Sequence, residues 1–266
     1  ASNPVDDAWA RKRIRNEPLV EVTQVKGTSE THPFLSDSDE WADFEIMPYR
    51  VATNLPSEPK GSYAREALLD GLALAEAGIT NAYQFGLVGA TDTHVGASSL
   101  DESNFWSKVG LLDGDPENRG SVPLKEENVE RLDEYMRAFN QPVSRVSLEQ
   151  GEYANTGFTQ WGASGLAAAW AEENTRESIF NAFRRKETFA TTGTRIAVRF
   201  FGGYNLSSID LNSESLVSEA YQKGVTMGSD LLHNENKIPE FLVWAQRDKN
   251  GAVSYTHLTL PTKRIV

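Results

Sequence analysis

The stretch that most limits what this chain can fold into runs from Ser62 to Gly96, where a helical pattern, a short connector and an apolar run follow one another. Ala64, Leu68, Leu72 and Ala75 recur at helical spacing between Ser62 and Ala77, and Gly78 supplies a C-cap. The run from about Gln84 to Ala90 is short, apolar and bounded by small residues, so it reads as a buried strand. Helix, connector and strand make one turn of an α/β alternation, which favours a parallel sheet. The strand leads straight into Asp92 and His94. Residues i and i+2 of an extended segment point to the same side, so this carboxylate and imidazole can reach one ion. Oxygen plus imidazole nitrogen is a common ligand pair for zinc, manganese or iron. Chemistry in α/β folds also gathers at the carboxyl ends of strands. The other reading is a strand ending in a turn, with Asp92 capping the next segment and His94 exposed.

A second strand end carries similar residue types. Asp6 to Arg15 reads as a helix, Glu17 and Pro18 break it, and Leu19 to Val25 alternates as a strand. The polar loop Lys26-Gly-Thr-Ser-Glu-Thr-His-Pro follows. Glu21, Lys26, Glu30 and His32 thus crowd around the carboxyl end of that strand. Lys26 there could hold an oxyanion or phosphate, and Glu30 or His32 could move protons. A solvated polar loop is the alternative.

Further along, Asp37 to Met47 is acidic and aromatic without a readable pattern, and Pro56 to Gly61 is a turn-rich connector. Ala97 to Val122 reads as a long loop in which Phe105 and Trp106 need packing partners. Pro123 opens a helix with Val129, Leu132, Met136 and Phe139 on one face, which reads as core. Gln150 to Gly165 is polar with Tyr153, Phe158 and Trp161, either a surface loop or the lining of a cleft. Gly165 to Trp170 reads as a strand. Asn174 with Glu177 reads as a capping box for a helix carrying Ile179, Phe180 and Phe183. Arg184, Arg185 and Lys186 suit the last turns of that helix. Thr188 to Thr192, Arg195 to Phe201 and Phe241 to Ala245 read as strands, so the chain becomes β-rich from here, and His233 reads as a loop residue.

Composition removes several function classes. The chain has 266 residues, a formal net charge of -12 and no cysteine. With no basic stripe to offset that charge, a nucleic-acid partner is not expected. Disulfides and thiolate metal sites are excluded, and no apolar run approaches the length of a membrane span. A small-molecule substrate is the expected partner.

Six motifs resemble one family. They are Gly27-Thr-Ser-Glu-Thr-His-Pro, Gly89-Ala-Thr-Asp-Thr-His-Val-Gly and Trp170-Ala-Glu-Glu-Asn-Thr-Arg-Glu, followed by Glu187-Thr-Phe-Ala-Thr-Thr-Gly-Thr-Arg, Arg199-Phe-Phe-Gly-Gly-Tyr and Phe241-Leu-Val-Trp-Ala. In order and spacing they resemble the family called domain of unknown function 3604. That family is similar to the PHP (polymerase and histidinol phosphatase) superfamily of metal-dependent hydrolases, built on a distorted β/α barrel. The resemblance implies that Asp92 and His94 match the superfamily's late D-x-H metal motif, and that Glu21 stands near the site. Lys26, Glu30 and His32 fall in the family's own motif, without an assigned role.

The superfamily's early histidine motifs have no counterpart here. The expectation is therefore an α/β chain forming the C-terminal part of a PHP-like barrel over residues 1–195, with a small β-rich unit over 196–252. Residues 253–266 resemble sequencing-adaptor read-through, and the fragment is expected to lack turnover alone. The function implied is metal-dependent hydrolysis of a phosphoester, ester or amide, with divalent manganese, zinc or iron as cofactor. The alternative is a non-catalytic domain on a degenerate barrel that binds a ligand such as carbohydrate through loops around Tyr153 and Trp161.

Overall fold

The computed structural model describes residues 5–24, 26–50, 53, 55–94, 96, 117–118, 120, 122–138, 145–155 and 165–249. The expectations for Phe105, Trp106, Phe139, Phe158, Trp161 and the tail from residue 253 lie outside the described residues.

Helix α1 is Asp7–Asn16, and Asp6 caps it by accepting the Trp9 N–H at 2.8 Å. Strand β1 (Leu19–Gln24) turns tightly into β2 (Gly27–Thr28), which pairs with it antiparallel. Helix α2 (Ala64–Glu76) precedes β3 (Gly86–Gly89), and the sheet order is β2-β1-β3. The Gly86 N–H donates to the Pro18 carbonyl at 2.9 Å, and the Ala90 N–H to that of Thr23 at 3.0 Å. These two bonds advance in the same direction along both strands, so β1 and β3 run parallel, as the α/β alternation predicts.

Helix α3 (Glu126–Ala138) follows, then the hairpin β4 (Arg145–Leu148) and β5 (Gly151–Ala154). Strand β6 (Gly165–Ala169), helix α4 (Arg176–Arg185) and β7 (Thr188–Thr192) form a strand–helix–strand unit in which the two strands are neighbours. The antiparallel sheet β10-β8-β9 closes the described chain, with β8 at Ala197–Gly203, α5 at Leu216–Lys223, β9 at Gly224–Thr226 and β10 at Glu240–Gln246.

This architecture corrects the expected barrel. A β/α barrel needs parallel strands bonded on both sides in one closed ring. The described strands instead form four small sheets of two or three strands. β1 with β2, β4 with β5, and β8 with both β9 and β10 all pair antiparallel. The turns between β1 and β2 and between β4 and β5 span two residues each, too short for the crossover that a parallel pair requires. Among the described residues the fold is a mixture of short helices and small sheets, without a closed barrel.

The chain divides into two compact units, one of residues Ala1–Glu21, Ala67–Val88 and Ala167–Val266, the other of Val22–Glu66 and Gly89–Leu166. In the first, Phe201, Leu206, Ile209 and Ala220 form a buried cluster beneath the β8 sheet, with Leu216, Val217 and Leu242 packed against it. In the second, Leu132 and Met136 of α3 pack with Ala154, as the helical stripe predicts. Arg145 on the hairpin pairs with Asp133 of α3.

One local expectation fails for a visible reason. The cap of α4 is Thr175, whose hydroxyl accepts the Ser178 N–H at 3.3 Å, so the helix starts one residue later than a cap at Asn174 requires. Helix α2 forms where the helical spacing predicts, over Ala64–Glu76. Leu72 is 64% exposed, whereas Ala64 and Gly71 are buried, Gly71 close against the Asn81 side chain.

Candidate functional site

After β1 the chain turns back into β2, and the Ser29 N–H bonds the Val22 carbonyl at 2.7 Å, so Glu30 and His32 follow a strand antiparallel to β1, whereas Asp92 and His94 follow β3; both segments lie in the second unit. Lys26 lies in the turn between β1 and β2, Glu30 and His32 on the loop after β2, and Asp92 and His94 just after β3.

In the segment after β3, Asp92 has φ 50°, the left-handed region that costs a residue with a Cβ. Aspartate tolerates it better than most, and such backbone is concentrated at functional positions. Gly165 lets the backbones come together behind this strand end. A Cβ there would sit 2.6 Å from the Ala90 carbonyl oxygen and 2.9 Å from that of Thr23. His94 is exposed, and its Nδ1 lies 2.8 Å from the Asp92 carbonyl oxygen and 3.9 Å from Asp92 Oδ1. A carbonyl can only accept, so Nδ1 carries the proton and donates. In the neutral ring Nε2 then presents a bare lone pair, the form that binds a metal.

His32 has the opposite arrangement. Its Nδ1 accepts the Phe34 N–H at 3.1 Å, which leaves Nδ1 unprotonated and puts the ring proton on Nε2. The ring packs 5.6 Å from that of the buried Tyr63. One histidine thus offers a lone pair outward and the other a proton.

Lys26 Nζ donates to Ser29 Oγ at 2.7 Å, which folds the side chain back on its own loop. Gly27, with φ 105°, allows the loop to press on the Glu45 carbonyl, which also accepts the Thr28 N–H at 2.9 Å. A Cβ at Gly27 would collide with that carbonyl. Glu21, expected near the site, is an exposed residue of β1.

Glu30 is committed to Arg65, a residue that sequence reasoning passed over. Arg65 also bonds Asp39 Oδ2 at 2.6 Å. The Ser29 and Glu30 carbonyls accept the Ala64 and Arg65 N–H groups at 2.9 and 3.0 Å, satisfying the first turn of α2. The Arg65 bond, then the Trp41 N–H, hold the Asp39 carboxyl below its ordinary pKa. The same two carboxylates raise the Arg65 guanidinium pKa, the Asp39 bond first. The sequence signal was a lone arginine in the first turn of a predicted helix, with nothing to point it at a loop 35 residues earlier.

Among the described residues no three His, Asp or Glu side chains converge as a ready metal cage. Asp92 and His94 are a pair, and the donor set they offer fits half of such a site.

The sequence matches, over residues 1–254, the profile of the family described as protein of unknown function (DUF3604). The chain belongs to that family. No curated protein and no solved structure matches it. Among the DUF3604 motifs, the four C-terminal ones converge within the first unit. The Arg199 guanidinium lies 3.5 Å over the Trp170 ring, and the Trp170 indole N–H donates to the Val198 carbonyl at 2.8 Å. Trp244 stands edge-on to Trp170 at 6.4 Å. The buried Glu187 carboxylate accepts from the Tyr221 hydroxyl and from Thr226 Oγ1, the latter at 3.2 Å. Burial, then the Glu187 bond, push the Tyr221 pKa up, so its hydroxyl keeps the proton it donates. This cluster uses its polar atoms on one another and holds the unit together.

Proposed function

We propose that the strand-end pair of loops is the site of a metal-dependent hydrolase, with the chemistry expected of the PHP superfamily. The observation that carries this reading is the Nδ1–H bond of His94 to the Asp92 carbonyl. It leaves Nε2 as a lone pair beside a carboxylate, on a backbone held in a conformation that costs stability. Asp92 and His94 would hold the ion. A bound manganese, zinc or iron ion supplies a water acidic enough to attack near neutral pH.

The chain's own groups divide the remaining work. His32, carrying its proton on Nε2, donates to an oxygen of the substrate that gains charge. Lys26 supplies positive charge for an oxyanion or phosphate once it swings from Ser29. Glu30 is held by Arg65 and shapes the loop that places both. Phosphoester, ester and amide bonds all meet these requirements.

Elemental analysis after incubation with manganese, zinc and ferrous ions tests the proposal on the chain and on its Asp92→Ala, His94→Ala double variant. The expected result is bound metal that the variant loses while circular dichroism stays unchanged. Equal metal content in two folded proteins, including none in either, overturns the reading.

A further inference from the structure

A cleft of about 330 Å³ opens beside the Lys26–His32 loop, within the second unit and clear of Asp92 and His94. Its volume is that of a small-molecule site. Two of its walls are Trp41 and Phe44, which are 68% and 51% exposed. Large aromatic faces kept in water forgo the stabilisation of burial, and here they are held in place. Asp39 Oδ1 accepts the Trp41 N–H at 3.0 Å while Oδ2 holds Arg65, and the Ala42 and Phe44 N–H groups bond the Asp39 and Trp41 carbonyls at 3.1 and 3.2 Å. The aromatic turn is therefore clipped to the start of α2 before any ligand arrives.

The charges select the ligand. Arg65 is the one basic residue of the cleft, and it is committed to both Glu30 and Asp39. The trio carries one net negative charge, which disfavours phosphate and carboxylate ligands. The guanidinium between the carboxylates disfavours a second cation. What remains is a neutral molecule with an apolar face for the aromatic rings and hydroxyl donors for carboxylate lone pairs. A pyranose ring has both.

We propose that this cleft binds a neutral sugar, stacked on Trp41 and Phe44 with its hydroxyls donating to Glu30 and Asp39. The inference stands apart from the metal reading, since it uses neither Asp92 nor His94. Saturation-transfer NMR of the full chain tests it, with methyl glycosides of glucose, galactose and mannose, their neutral tetrasaccharides, choline and methyl phosphate as probes. Transfer to ring protons of at least one sugar is expected. It should fall at least tenfold in Trp41→Ala and in Phe44→Ala, and persist in Asp92→Ala. No transfer to any sugar, transfer that survives both aromatic substitutions, or binding of choline or methyl phosphate in place of sugar would each overturn the proposal.

Discussion

Two polar clusters in this molecule, each built around a carboxylate, satisfy their polar atoms in opposite ways. Around Glu187, the carboxylate, the Tyr221 hydroxyl, the Thr226 hydroxyl and the Arg199 guanidinium face one another, and Glu187 is buried. Around Asp92, the backbone is in a left-handed conformation and the exposed imidazole of His94 bonds a main-chain carbonyl, which leaves its other nitrogen facing outward. The first cluster lowers the free energy of the fold by satisfying its own donors and acceptors. The second holds a disfavoured conformation and keeps a lone pair available. Residue identity alone does not separate structure from chemistry, but the direction in which the polar atoms are satisfied does.

The widest contrast comes from truncating each cluster. Glu187→Ala leaves the Tyr221 and Thr226 hydroxyls without their acceptor and should lower unfolding stability by about 3 kcal/mol. His94→Ala removes an exposed ring and should change stability by less than about 0.5 kcal/mol. Urea unfolding followed by circular dichroism measures both. Similar losses in the two variants would erase the distinction.

A finer comparison isolates the backbone at Asp92. Asp92→Gly and Asp92→Ala remove the same carboxylate, so their difference reports the cost of a Cβ at φ 50° set against the greater freedom of glycine in the unfolded chain. Glycine should be the more stable of the two by about 1 kcal/mol, because alanine bears the left-handed penalty in full. Equal urea midpoints would mean that the loop relaxes freely and that no strain is held at this strand end.

How much of this was legible in the sequence depends on the range of the interaction. The strands β1, β3, β7 and β10 and the helices α1, α3 and α4 follow from local periodicity and from Gly and Pro boundaries, and each lies within a few residues of its expected span. The parallel pairing of β1 and β3 also follows, since a helix separates them. The barrel did not survive, because closure is a property of every strand at once and the two-residue turns commit β2 and β5 to antiparallel partners. At the site, the residue types at Lys26, Glu30, His32, Asp92 and His94 were readable, whereas their tautomers and partners were not. His32 and His94 differ only in which neighbouring backbone group meets Nδ1, a detail that no spacing rule carries. Arg65, Asp39, Trp41 and Phe44 were missed because their meeting depends on a contact across 26 to 35 residues without pattern.

The smallest effect belongs to that missed contact, and its sign follows from linkage. Asp39 has a folded pKa below its ordinary 3.8, set first by Arg65 and then by the Trp41 N–H. A carboxyl whose folded pKa is depressed binds its proton more readily when unfolded. Its contribution is therefore complete above the unfolded pKa and is lost as pH falls from there through the folded value. The chain should lose this increment only below about pH 4, the ordinary range for aspartate. Because the pair is partly exposed, salt should weaken it. Arg65→Ala should flatten the dependence of the urea midpoint on pH between about 5 and 2 relative to the parent, with its small loss of stability fullest at pH 7 and fading towards pH 2. The sugar cleft is expected to follow the same titration, since protonated Asp39 releases the clip that holds Trp41 over the ligand. Trp41 would thus bind sugar at pH 7 and lose it in acid, whereas an equally acid-sensitive Asp39→Asn variant would place the responsible carboxylate elsewhere.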